Sequence, residues 1–301
     1  MPQATSAIDN PFDPDGDPAP YRRWREWKLD HHPRRLEDLV VTLTDPARLT
    51  PGERQAVIDR IRRANMVLYV TDPARIEARQ VPLLLARQLG VSGLDCNWLA
   101  EDDGLTALSV HEDALHRGYI PYTDRPIQWH TDGYYNPPER QVHALMLHAE
   151  RPAAEGGENR LMDHELLYIL LRDEDPALIR ALMRPQALSI PARVAGGDTA
   201  RPLARGPVFS ITAQGKLHLR YTARQRNALW EETPAVQRAQ ARIRELLEQP
   251  SPWIFQGRLE AGMGLISNNV LHDRNGFRDP PGSPGRLLYR ARFHGRVTAA
   301  D

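Results

Sequence analysis

Trp129-His130-Thr131-Asp132-Gly133 is the stretch on which the reading of this chain turns. Side chains alternate faces along a strand, so His130 and Asp132 project the same way, an imidazole beside a carboxylate. Alone the pair says little, because His-x-Asp arises by chance in many sequences. It gains meaning from Ile266-Ser267-Asn268-Asn269-Val270-Leu271-His272-Asp273-Arg274, where an apolar strand and an Asn pair precede His272 and a turn can aim it inward. Two His and one carboxylate on one face leave three coordination positions open, the facial arrangement of non-haem iron(II) oxygenases. No thiolate takes part, and the mixed N/O set suits iron(II) better than structural zinc.

Downstream, Gly285-Arg286-Leu287-Leu288-Tyr289-Arg290 places a guanidinium fourteen residues beyond His272. On a strand running back beside the metal, Arg286 can clamp the distal carboxylate of a chelating keto acid bidentately. Arg290, four residues on, shares its face. A second inward arginine must meet a charge, since burying it unpaired is costly. The expected partner is an anionic group on a small-molecule substrate.

Around these segments the pattern is strand-like from residue 105. LTALSV, VHALMLHA, GPVFSI, LHLRYT, MGLIS and LLYRARFHG are short runs bounded by Gly, Pro and Asn. Two helical insertions interrupt them: one at 163–184, and one at 233–249 with Thr233 as cap and Pro234 at the first position. Upstream, YRRWREWKLDHH reads as a helix, MVLYV at 66–70 as a buried strand, and IEARQVPLLLARQLG as a helix ending at Gly90. Thr50-Pro51-Gly52-Glu53 carries a capping box at a further helix start, with Val57, Ile58 and Ile61 on its buried face. No repeat and no βαβ rhythm is visible. The expected architecture is mainly β with helical insertions, a closed or sandwich-like β core with helices outside or between the strands. Residues 1–20, rich in Pro and Asp, read as a flexible amino-terminal arm. Residues 21–301 read as one domain.

Composition narrows the function. The 39 basic and 39 acidic residues cancel, which removes the electrostatic case for nucleic acid or an anionic membrane. All the basic residues except Lys28 and Lys216 are arginine, which genomic base composition explains. The single cysteine, Cys96, excludes an internal disulfide and thiolate clusters. With no signal-peptide core and no long apolar run, a cytoplasmic protein is expected.

WHTD at 129–132, GGEN at 156–159, NNxLHDRxxF at 268–277 and RLLYR at 286–290, in that order, resemble the TauD/TfdA family of Fe(II)/2-oxoglutarate dioxygenases, which includes clavaminate-synthase-like enzymes. The likeness runs over about residues 105–295, and the segment 206–224 resembles the clavaminate-synthase-like branch. The resemblance implies a double-stranded β-helix (jelly-roll) core with flanking helices. It implies His130, Asp132 and His272 as iron ligands, Arg286 as the binder of the 2-oxoglutarate C5 carboxylate, and O2 as the oxidant. Asn159 stands where the family has a Thr on the C1 carboxylate side, and its amide can donate in place of the hydroxyl. Arg290 falls on the arginine that meets the substrate anion in taurine-type members. Pro126 replaces their substrate-contacting Asn, a departure that points away from taurine itself. Since Asp132 is present where related halogenases carry a small residue, hydroxylation or a related oxidation is implied, with release of succinate and CO2. The stretch 163–207 falls where the family has its lid, with Gly196 and Gly197 as hinges. The resemblance also allows a homo-oligomer.

Other polar residues carry blander expectations. His111, His116, His143 and His148 are read as packing or solvated, and Trp129 as facing outward. Asp273 and Arg274 are expected to pair or cap the turn around His272. Tyr134 and Tyr135, after the HTD turn, are candidates for the substrate pocket, and Arg220, Tyr221 and Arg224 lie close enough in the pattern to reach it. Two other functions compete: the same chemistry on a protein- or carrier-bound residue, and a non-catalytic ligand-binding jelly-roll.

Overall fold

A computed structural model describes residues 10–95, 104–111, 119–195 and 198–298. Two sheets form the centre. The larger runs in the order Val40–Thr42, Met66–Val70, Met263–Ser267, Ala144–Arg151, Leu287–Phe293, Thr106–Leu108. The smaller runs Ile254–Gly257, Asn159–Met162, Leu271–Arg274, Ile127–His130. All pairs are antiparallel except the first of the larger sheet.

Strand alternation builds the layers. Leu145, Leu147, Leu265 and Leu288 of the larger sheet face Leu161 and Phe255 of the smaller one in a shared core. The intervening residues Ala144, Met146, Ile266 and Ala291 turn the other way, against Val57, Ile58 and Ile61 of the Pro51–Ala64 helix and Leu85 of the Val81–Gln88 helix. Covered on both faces, these strands need the near-continuous apolar runs seen in the sequence. On the far side, Trp129, Met162 and Leu271 of the smaller sheet meet a helical layer, His164–Glu174, Pro176–Leu182 and Pro234–Glu248. The result is the jelly-roll expected, as two facing sheets between helical layers.

The expected caps are present. Glu53 N–H donates to Thr50 Oγ1 at 3.2 Å while Thr50 N–H donates to Glu53 Oε2 at 2.7 Å, and Thr233 accepts from Val236 N–H. Four expectations need correction. A βαβ unit does exist: Val40–Thr42 and Met66–Val70 pair in parallel across the Pro51–Ala64 helix. The 163–184 insertion is two helices, because Asp175 leaves helical geometry and caps the second one just before Pro176. Nor is that insertion a lid, since Leu167, Tyr168, Leu171, Ile179 and Leu182 are wholly buried and form the core of the helical layer. The described part of the expected arm is not free either. Phe12 is buried against Trp24 and Tyr168, Arg172 donates to Pro11 O and Asp13 O, and the first helix starts at Pro18. Cys96, His116, Gly196 and Gly197 lie outside the described residues.

Candidate active site

The smaller sheet brings the motif residues together. His272 and His130 are direct antiparallel partners, and Leu161 lies opposite His272 on the other side. The two imidazole centroids are 4.2 Å apart. Gly133 then turns the chain at φ +66°, and a Cβ there would meet Val142 Cγ2 at 2.4 Å, so only glycine allows this turn. Asp132 is thereby swung beside the imidazoles, its Oδ1 3.6 Å from His130 Nε2.

The donor set fits a metal. Nδ1 of His130 lies 2.9 Å from Gln128 O and Nδ1 of His272 lies 3.0 Å from Val270 O. A carbonyl only accepts, so each Nδ1 carries the proton and each Nε2 keeps its lone pair for a ligand bond. Asp132 Oδ2 is buried without a hydrogen bond. Ligand atoms from His130, Asp132 and His272 all lie within 4.8 Å of one another, and no other such group of His, Cys, Asp or Glu occurs among the described residues. Burial, reinforced by His130, lowers the His272 pKa to about 4 and keeps it neutral. Burial opposes ionisation of Asp132, but Arg290 and His130 outweigh it and hold the carboxyl well below its usual range. Both are the protonation states that metal binding needs.

A cleft enclosing about 460 Å³ and partly open to solvent holds the triad together with Asn159, Arg274, Arg286 and Arg290. Arg286 is buried, and its guanidinium forms no hydrogen bond among the described residues; its backbone N–H donates to Asp279 Oδ2 at 2.9 Å. It lies against the Phe277 ring, 5.2 Å from the centroid. Burial, opposed by the Asp279 carboxylate, lowers its pKa to about 10, so it remains a cation facing the cleft with no ion pair among the described residues. Asn159 lines the cleft and gives one amide hydrogen to Asp273 O at 2.7 Å. Arg290 Nη1 lies 3.3 Å from Asp132 Oδ2. The carboxylate of a candidate metal ligand is thus one charge that this arginine meets.

Two contributors carried no signal of their own in the sequence. Arg274, expected only to support the turn, lines the cleft, lies 4.8 Å from the centroid of the same Phe277 ring and donates to Thr123 O and Arg125 O. It adds a second buried cation that makes no ion pair among the described residues. Asn269 sits at φ 54°, a backbone conformation Asn tolerates. Its amide accepts from Asp132 N–H at 2.8 Å and donates to Asp132 O at 2.9 Å and Val142 O at 2.7 Å. The residue three before one ligand thus fixes the backbone of another ligand far away in sequence.

The remaining candidates go elsewhere. Tyr134 stands edge-on to His130 with centroids 6.5 Å apart, and the Tyr135 hydroxyl accepts from Arg292 at 2.7 Å; neither belongs to the cleft lining. Arg220 is a buried clamp on the carbonyls of Tyr134, Leu188, Gly206 and Pro207. Tyr221 is buried in the helical-side core. Asp273 pairs with Arg160. Trp129 does face away from the triad, but into the helical layer and beneath Arg160 rather than into solvent. His148 stacks on Tyr69, and His143 packs against His218.

Known proteins resemble this chain in both sequence and fold. A uridine-5'-phosphate dioxygenase from Amycolatopsis sp is 28% identical over 166 residues, 53% of this chain and 58% of that protein. Another, from Streptomyces sp, is 32% identical over 170 residues, 54% of this chain and 60% of that protein. The match therefore spans under two thirds of the length of these relatives. Among solved structures, asparagine oxygenase in complex with Fe(II), 2S,3S-3-hydroxyasparagine and succinate aligns with a TM-score of 0.58 at 16% identity, covering 85% of this chain and 93% of that one. The non-heme iron oxygenase OrfP in complex with Fe and alpha-ketoglutaric acid aligns at 0.58 and 16%, covering 85% and 82%. At that identity the likeness is one of fold. The model of the family described as taurine catabolism dioxygenase TauD, TfdA family, matches residues 28–292, and the chain belongs to that family.

Proposed function

We propose that this protein is an iron(II)- and 2-oxoglutarate-dependent dioxygenase that oxidises a small anionic substrate. The observation that carries the reading is a three-residue ligand set and a buried arginine in one cleft. His130, Asp132 and His272 have ligand atoms within 4.8 Å of one another, and Arg286 lines the same cleft with no ion pair among the described residues. When bound, the iron supplies the redox chemistry by which O2 and 2-oxoglutarate become succinate and CO2 as one oxygen atom enters a substrate C–H bond.

The chain's own residues bind and orient. His130, Asp132 and His272 hold the metal on one side and leave the other to ligands. Arg286, steadied by Phe277, takes the far carboxylate of 2-oxoglutarate, and the amide of Asn159 lies where it can meet the near end. Leu145, Leu147 and Leu288 wall the cleft and limit water around the reacting centre.

Charge supports an anionic substrate. Arg274, Arg286 and Arg290 with iron(II) bring five positive charges to the cleft. Asp132 and the 2-oxoglutarate dianion remove three, Asp273 is neutralised by Arg160, and Asp124 and Asp279 act on Arg274 and Arg286 from outside the lining. The lining itself keeps a net positive charge, which suits an anionic group such as a phosphate monoester. The relatives named uridine-5'-phosphate dioxygenases favour a nucleoside 5'-phosphate over a free amino acid. A succinate-release screen over nucleoside 5'-phosphates, amino acids, sulfonates and phosphonates tests this. Nucleoside 5'-phosphates should stimulate release, and Arg290→Ala should lose that stimulation while keeping slow substrate-independent 2-oxoglutarate decay. Stimulation by amino acids alone would refute the nucleotide reading, and no release under any condition would refute the dioxygenase reading.

A further inference from the structure

Two recesses of opposite character meet at the triad. One is the charged cleft already described. The other encloses about 580 Å³, counting its open mouth, and is lined by His272 and by residues of both sheets. Its walls are Leu36, Leu68, Leu147, Leu161, Leu259 and Leu265. Its polar lining is confined to Glu37 and Arg258, which have solvent access, and to Asn159 and His272. Asn159, Leu147 and His272 also line the charged cleft, so the two recesses share a wall at the metal-binding residues.

We propose, building on the functional reading above, that the apolar recess admits and holds dioxygen for the site. The reaction has three ligands to accommodate, and two of them are anions. Those two belong in the cleft that carries Arg274, Arg286 and Arg290, and once there they obstruct it. The third is a small uncharged diatomic with no hydrogen bond to gain from arginines. An apolar cavity is poorly suited to water and to anions, and it takes up small apolar solutes such as xenon or benzene. The recess is such a space, it reaches one of the ligand histidines, and apart from Leu147, Asn159 and His272 its lining is distinct from that of the cleft. Leu36 is a half-buried wall of the recess beside the exposed Glu37, and a Cβ on Gly257 would lie 2.6 Å from Leu36 Cδ2, so the glycine makes room for this side chain.

Xenon is the probe, because it reports on an apolar gas site independently of turnover. Crystals of the whole protein pressurised with xenon should show the atom in the recess, and Leu36→Trp and Leu265→Phe, each of which fills the recess from one wall, should remove it. In turnover the same two variants should raise the KM for O2 several-fold and leave the KM for 2-oxoglutarate at its wild-type value. Absence of xenon from the wild-type recess would overturn the proposal. So would an unchanged KM for O2 in variants that exclude xenon, or a rise in the substrate KM instead, which would assign the space to an apolar part of the substrate. Xenon in the recess of a protein that consumes no 2-oxoglutarate would overturn the functional reading and the oxygen assignment with it, while leaving the gas site standing.

Discussion

Two buried polar centres lie on either side of the smaller sheet, and they are built on opposite principles. Behind the sheet, Lys28 is wholly buried with its Nζ 2.6 Å from Asp163 and 2.5 Å from Glu165. Asn65 donates to Asp163, and Arg296 donates to Asn65 Oδ1. Asn268 joins this group through Asn65 Oδ1 and Val297. Its charges answer one another, and the centre ties the first helix, the 164–174 helix and the carboxy-terminal segment together. In front of the sheet, Arg274 and Arg286 form no ion pair among the described residues, Asp124 and Asp279 acting on them only weakly against burial, and both ligand imidazoles keep an open nitrogen. A buried centre that balances its own charge holds the fold, whereas one left out of balance is reserved for what binds there.

Removing a cation from each centre should therefore have opposite consequences. Lys28→Met leaves Asp163 and Glu165 buried with only Arg296, 4.0 Å from Glu165, to answer them, and should cost about 3–5 kcal/mol in urea unfolding. Arg286→Met removes a buried cation that makes no ion pair among the described residues and should leave the stability of the ligand-free protein unchanged or raise it. The same change should weaken 2-oxoglutarate binding by roughly 10–100-fold, the worth of a charge-assisted bidentate contact. Equal destabilisation by both would erase the distinction.

The adjacent asparagines divide along the same line. Asn269 holds the backbone of Asp132 and Asn268 does not. Asn269→Ala should lower affinity for Co(II), read from its visible spectrum, by roughly 10–100-fold, as losses behind a metal ligand do. Asn268→Ala should destabilise the fold but leave Co(II) affinity where it was.

A smaller effect belongs to the self-balanced centre. His164 lies in it with both ring nitrogens unbonded, and burial lowers its pKa from the usual 6.5 to about 4. Between those values the unfolded chain binds the proton that the folded one refuses. Stability should therefore fall as pH drops from about 6.5 to about 4, and this contribution should stop changing below. His164→Leu should flatten the slope in that window, measured by urea unfolding at successive pH values.

What was legible in the sequence follows from these contrasts. His130 and Asp132, two apart, could be read as sharing a face, and the likeness to the TauD/TfdA motifs implied that His272 and Arg286 would join them. The capping residues Thr50, Glu53 and Thr233 act on neighbours and were equally readable. Asn269 and Arg274 were not, because their partners, Asp132, Val142, Thr123 and Arg125, are remote in sequence and carry no periodic signal. The stretch after Asn159 suggested a lid by position alone, but Leu167, Tyr168 and Leu171 made it core. The contact of Arg290 with Asp132 was not legible, because Asp132 lies in the turn after the Ile127–His130 strand, remote in sequence.

The central claim is that one cleft holds a metal through His130, Asp132 and His272 and a keto acid through Arg286. Anaerobic addition of Fe(II) and then 2-oxoglutarate to the folded protein tests it most directly. A weak visible absorption band should appear only when both are present, vanish in Asp132→Ala, and require more 2-oxoglutarate in Arg286→Met. A well-folded wild-type protein that shows no such band would contradict the account.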